Sequence, residues 1–227
     1  MKEWLPSGKT LRIFRKALTY ALFVIAGLML WVQQSNMGES VFDLRSELEA
    51  LRLDSKVEKG KFVYDNQVDI LKLAVVERHH HTGNVGVGLV EGFGLKNGAL
   101  AMTIAHDSHN LIIVGSKDSD MQVAAQKIQE IQGGIVLVQN GIITEFLELE
   151  VGGIMTAHSE VIVEETLLRM KKKIQKMGLS PNVDDPFISL AFLALPVIPK
   201  LKLTDRGLFD VDLFKIVPIE ISKKVKV

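Results

Sequence analysis

The sequence predicts an α/β protein, with α+β as the alternative: a mixed β-sheet covered by helices and preceded by an apolar N-terminal helix. Three observations carry this. From about residue 57 onward, runs with strand alternation are interleaved with two segments of helical periodicity, in the order strands, helix, hairpin, helix, strand. The 227 residues are 47% hydrophobic, enough for a sizeable core and incompatible with a disordered chain. Ahead of the alternating region, Ala17 to Val32 is almost continuously apolar.

That apolar core is roughly 16 residues, a little short of the ~20 that span a bilayer, and reaches further only by including Gln33 and Gln34. Arg12, Arg15 and Lys16 precede it, which would hold the N-terminus in the cytoplasm. Three readings stay open: a membrane anchor or signal segment over 17–34, a buried apolar helix, or a stretch outside native structure, such as a displaced reading frame or a start upstream of Met37. "SVFDLRSELEALRLDSKVEKG" follows with apolar residues at helical spacing and many charges. It reads as a short amphipathic helix over about 41–56, ending near Gly60. The chain therefore divides into an N-terminal extension, 1–56, and a main domain, 57–227.

In the main domain "DILKLAVVER" reads as a buried strand ending in charge, and the Gly-rich "NVGVGLVEGFGL" as strand or loop. "GALAMTIAH" and "NLIIVG" read as two strands with Asp107, Ser108 and His109 between them. "SKDSDMQVAAQKIQEIQGG" is a helix capped by Asp118 or Ser119 and ended by Gly133-Gly134. "GIVLVQNGIITEFLELE" is a hairpin turning at Asn140-Gly141. "SEVIVEETLLRMKKKIQKMG" is a second helix, with Ser159 as cap, acids early and lysines late. "DDPFISLAFLALPVIP" is an apolar run broken by prolines, and "FDVDLFKIVPIEIS" a final alternating strand.

Composition narrows the function. Lys and Arg (27) balance Asp and Glu (27), so nothing electrostatic points to nucleic acid. With no cysteine, disulfides, thiolate metal sites and cysteine nucleophiles are excluded, and a cytoplasmic location fits. Membrane anchoring through 17–34 is the alternative.

Two clusters hold residue types that do chemistry. Glu77, Arg78, His79, His80 and His81 bring imidazoles beside a carboxylate, the donors of divalent-metal sites. In a continued strand only His79 and His81 would share a face. The bland alternative is a solvated strand end. His106, Asp107, Ser108, His109 and Asn110 form the second cluster. Their flanks argue for strand–turn–strand, in which Asp107 and Asn110 bond their own backbone. Side by side, the clusters would supply a metal or purine site. The glycines from Gly83 to Gly94 fit no phosphate-loop spacing and read as tight turns and close strand packing. Gly152-Gly153-Ile154-Met155 reads as a turn and no more, and Lys171 to Lys173 as a solvated helix face.

Longer phrases are more specific. "DILKLAVVERHHHTGNVGVGLVEGFGLKNGALAMTIAHDSHNLIIVG", "GGIVLVQNG" and "DPFISLAFLALPVIPKLKLTDRGLFDV", in that order, resemble the C-terminal domain of bacterial adenine deaminase, of the amidohydrolase superfamily. The resemblance covers roughly 57–218. Its motifs here are Glu77-Arg78-His79-His80, Thr82-Gly83 and His106-Asp107-Ser108-His109-Asn110; residues 1–56 lie outside it. It implies hydrolytic deamination of adenine to hypoxanthine and ammonia in purine salvage. It also implies a binuclear manganese or iron centre held in a β/α-barrel, which takes about 250 residues and has no counterpart here. The chain alone is thus expected to hold no cofactor or family metal ligand and to need a separate catalytic barrel as partner. The resemblance implies catalytic candidates in His106, Asp107, His109 and Glu77, and substrate-binding candidates in Arg78, His79, His80, Ser108 and Asn110. A purine- or metal-binding module without turnover, or an inactive membrane-tethered remnant, are the alternatives. Apolar surface shared with a missing barrel would drive self-association, so a homo-oligomer is expected.

Overall fold

The computed structural model describes residues 56–58, 61–64 and 68–219. The apolar segment over 17–34 and most of the amphipathic helix over 41–56 lie outside the described residues. The end of that helix does not run on toward Gly60. Lys56–Glu58 is strand β1, paired antiparallel with β2, Lys61–Val63, in a ladder that satisfies these backbone groups instead. Among the described residues no helix is long and apolar enough to cross a membrane.

The main sheet has six strands: β3 (Ile70–Val76), β4 (Val85–Glu91), β5 (Gly98–Met102), β6 (Leu111–Gly115), β7 (Gly134–Gln139) and β8 (Ile142–Glu148). Their spatial order is β4-β3-β6-β5-β7-β8, and every pairing is antiparallel, the arrangement of the α+β alternative. The β7–β8 hairpin turns at Asn140 (φ 50°) and Gly141 (φ 80°), two consecutive left-handed residues, as an Asn-Gly turn requires.

Side-chain alternation gives the sheet two buried faces. Ala74, Ala99, Ala101, Leu111, Ile113, Val136 and Val138 meet Met121, Ala124 and Ile128 of helix α1, Asp118–Glu130, and Ile131, the residue that ends it. The expected side-chain cap is absent: Lys117 occupies the cap position, and the Asp118 carboxylate pairs with Lys72 on β3 instead. A missing cap costs about 1 kcal/mol, whereas burying Met121 and Ile128 contributes ~1.5–3 kcal/mol each. Packing therefore decides this helix.

The opposite face carries Leu71, Leu73, Val75, Leu100, Met102, Ile112, Val114 and Leu137, all buried. Helix α2 (Glu160–Lys176) packs on β8, and α3 (Pro186–Phe192) on β6. A small sheet of β9 (Leu201–Thr204), β10 (Gly207–Asp210) and β11 (Lys215–Ile216) packs through β9 and β10 on β3 and β4. This contact explains the glycines of β4. A Cβ at Gly86 would strike the Thr204 carbonyl, and one at Gly88 would press on Leu203.

Three expectations change here. The apolar run around Pro186 contains α3, whose start is fixed by the Asp185 carboxylate accepting from the Phe187 and Ile188 amides, with proline at the first turn. The expected final strand is two, β10 and β11, separated by a turn in which the Asp210 carboxylate takes the Leu213 amide. Of the three lysines on α2, Lys172 alone is simply solvated. Lys171 reaches Asp185 (3.4 Å), and Lys173 reaches Glu145 (3.1 Å) and the Thr144 carbonyl (2.7 Å), tying α2 to its neighbours.

Candidate functional site

The strand register brings the two histidine clusters together. Val76 of β3 lies opposite both Val85 and Leu111, and Met102 opposite both Ile112 and Ile135. The β3–β4 loop (77–84), the β5–β6 loop (103–110) and the turn after β8 (149–155) therefore leave one end of the sheet. Because β6 lies between β3 and β5, loops distant in sequence become neighbours.

The first loop is bound largely to itself. The Glu77 carboxylate accepts from the amides of His79 (2.5 Å), His80 (2.7 Å) and Thr82 (3.0 Å), and from the Thr82 hydroxyl (3.0 Å). These bonds, led by the Thr82 amide, hold its carboxyl down to about 2. A carboxylate so engaged is a weak base, and its observed work is to brace the loop. The strand does not continue past Val76, so the facing of His79 and His81 expected from alternation does not arise. His80 and His81 are exposed, and His81 sits at φ 53°.

The loop grips its neighbours through Arg78 and His79. Arg78 Nε donates to the His109 carbonyl (2.6 Å), and Nη2 donates to the Gly152 carbonyl (2.7 Å). The guanidinium lies on Gly153, where a Cβ would come within 2.7–3.0 Å of it. The His79 ring bonds the Ser108 carbonyl through Nε2 (2.8 Å). A carbonyl only accepts, so Nε2 carries the proton. Thr103, fully buried, donates to the Gly153 carbonyl (2.5 Å) and accepts the Gly134 amide (2.9 Å). Gly152-Gly153 is thus a junction between loops, more than the plain turn expected.

The second loop turns at His106-Asp107-Ser108, as expected from its flanks. His106 stands edge-on to His109, with ring centroids 5.9 Å apart, and 5.5 Å from Phe192 at the end of α3. Asp107 and Ser108 are exposed at the tip, and Ser108 Oγ takes the Asn110 amide (3.4 Å). Asn110 departs from its expected turn role: the residue is 4% exposed, and Oδ1 has no partner among the described residues. His109 Nδ1 is likewise buried and unpartnered among them. Burial first, then the charges of His106 and Arg78, lower the His109 pKa and so favour its neutral imidazole.

The structure therefore brings Arg78, His79, Ser108 and His109 into one bonded cluster, with His106 and Asn110 beside it, and leaves His80 and Asp107 at the solvent side. Thr103, Gly152, Gly153 and Phe192 belong to this end and carried no functional signal in the sequence; only the Asp185-Pro186 helix start hinted at how Phe192 is placed. Among the described residues no three His, Asp or Glu side chains are grouped to hold a metal ion. The Glu77 carboxylate is taken up by its own loop and His79 Nε2 by the Ser108 carbonyl, so as bonded here neither is presented to a metal ion.

The family model for the adenine deaminase C-terminal domain matches residues 48–215. Adenine deaminase 2 of Carboxydothermus hydrogenoformans is 47% identical over 171 residues, 75% of this chain and 30% of the relative. Adenine deaminase of Lysinibacillus sphaericus is 48% identical over 171 residues, 75% of this chain and 29% of the relative. Adenine deaminase of Listeria welshimeri is 47% identical over 175 residues, 77% and 30%. This chain thus spans about 30% of the length of the curated relatives it matches. A sheet ending in the two histidine loops, a family match over most of the chain and near-50% identity lead to one conclusion: the chain belongs to the adenine deaminase family, through its C-terminal domain.

Proposed function

We propose that this chain serves the hydrolytic deamination of adenine to hypoxanthine and ammonia, in the cytoplasm, as the C-terminal part of a two-part enzyme whose other part is a catalytic barrel domain or chain. The observation that carries the reading is the convergence of the two family-matching clusters, Glu77–Thr82 and His106–Asn110, at one sheet end through Arg78 and His79. Metal chemistry belongs with the barrel: manganese or iron is the group proposed for the complete enzyme, and no step through it is assigned to these residues. On this side, the His109 imidazole and the buried Asn110 amide hold polar atoms with no partner among the described residues, and the half-buried His106 ring, backed by the tilted Phe192 ring, is the aromatic group on which a purine would stack.

The test is adenine loss, followed by ultraviolet absorbance. The full chain is incubated with Mn(II) or Fe(II), alone and with the remaining part of a relative such as the Carboxydothermus hydrogenoformans enzyme. Turnover only in the combined sample supports the reading. Turnover by the chain alone overturns the need for a barrel, and silence in both samples with a folded chain overturns the two-part enzyme. Self-association is part of the same proposal, and size-exclusion chromatography showing a monomer counts against it.

A further inference from the structure

The sequence made Arg78 a substrate-binding candidate. Its surroundings leave little room for that. Nε and Nη2 are committed to the carbonyls of His109 and Gly152. Its flat face is occupied by Gly153, a residue at φ 76° whose missing Cβ is what lets the guanidinium lie there. Gly153 is held from the other side, since its carbonyl takes the Thr103 hydroxyl and a Cβ on Gly133 would strike its Cα. His79, next in the chain, bonds the Ser108 carbonyl, so two consecutive carbonyls of the β5–β6 loop are held by two consecutive side chains of the β3–β4 loop.

We infer that Arg78 is a positioning residue: seated on Gly153, its two-pronged donation locks the 103–110 loop against the 149–155 turn and fixes where His109 stands. A lysine keeps the charge but not this function, because a single ammonium on a flexible stem does not reproduce a planar fork directed at two carbonyls. The consequence for turnover rests on the two-part enzyme proposed above; the locking itself does not.

The test uses the full chain and the variants Arg78→Lys and Arg78→Ala. The first readout is the titration of His109 by NMR. The charged or titratable groups acting on that ring are His106, Arg78, Asp107 and His79, and Phe192 backs His106. In Arg78→Lys the charge stays while the seat is lost, so His109 is expected to titrate at higher pH, with far-ultraviolet circular dichroism unchanged. In Arg78→Ala, millimolar guanidinium is expected to restore the parent titration, and this rescue decides the matter if the lysine variant folds poorly. The second readout is turnover with the supplied catalytic part: misplacing a group by about an ångström costs up to ~100-fold, so kcat is expected to fall about ten- to a hundredfold with KM little changed. An unchanged His109 titration in Arg78→Lys, or a rise in KM at constant kcat, makes Arg78 a substrate contact and overturns the inference. If the parent combination itself shows no turnover, the proposed function fails while the titration arm still decides the role of Arg78.

Discussion

The β3–β4 and β5–β6 loops stand side by side, carry similar residues and treat their polar atoms in opposite ways. In the first, Glu77 engages both oxygens and Thr82 both its amide and hydroxyl, all inside the loop. In the second, His109 Nδ1 and Asn110 Oδ1 are buried with no partner among the described residues. Buried polar atoms ordinarily find partners, because leaving one unpaired costs about 1–3 kcal/mol. The first loop therefore reads as scaffold and the second as the part with spare hydrogen-bonding capacity. Histidine content, the feature both share, does not separate them; the state of their hydrogen bonds does.

The comparison can be broken hardest at the junction that joins the loops. Gly153→Ala places a side chain at φ 76° and against the Arg78 guanidinium. The left-handed backbone alone costs about 1–3 kcal/mol, and displacing Arg78 adds to it, so the urea midpoint is expected to fall strongly. Thr103→Val comes next. It removes the acceptor of the Gly134 amide and the donor to Gly153 in a fully buried place, for an expected loss of roughly 1–3 kcal/mol by chemical denaturation.

A subtler break uses acid. The Glu77 carboxyl is held at about 2, below its ordinary 4.5. Its contribution is therefore complete above pH 4.5 and fades as the pH falls toward 2. Amide exchange of Thr82 read by NMR, corrected for its intrinsic pH dependence, is expected to lose protection across that window, and Glu77→Gln to remove the acid sensitivity. The smallest effect on stability sharpens the contrast. Asn110→Ala gives up no bond at Oδ1, so it is expected to cost about 1 kcal/mol or less while lowering turnover in the combined enzyme. A loss as large as that of Thr103→Val would place Asn110 in the scaffold instead.

The elements of this domain were legible where local signals are strong. The buried apolar run of β3, the Asn140-Gly141 hairpin and the apolar stripe of α1 follow from the sequence alone. Helix α3 had its signal too, in Asp185-Pro186, but apolar residues on nearly every side of so short a helix hid its periodicity. The site was legible only in pieces. Both clusters stand out as residues, yet their meeting depends on β6 inserting between β3 and β5, which is decided by distant strand pairing. Gly153 could not be recognised as the seat of Arg78, since a glycine required by a distant guanidinium looks in sequence like any turn glycine. The expected cap at Asp118 or Ser119 does not form, and nothing local in the sequence shows that the Asp118 carboxylate pairs with Lys72 on distant β3.

The bond from Arg78 to Gly152 spans 74 positions of sequence. It closes only after the segments from β3 to the turn beyond β8 have been synthesised and assembled, so the histidine end is a high-contact-order feature. All six strands of the main sheet, and both histidine loops, precede Gly152 in the chain, so the anchor is the last piece of this end to be synthesised. A chain terminated before residue 150 would carry all the histidines of both loops and still lack the anchor that holds them in place.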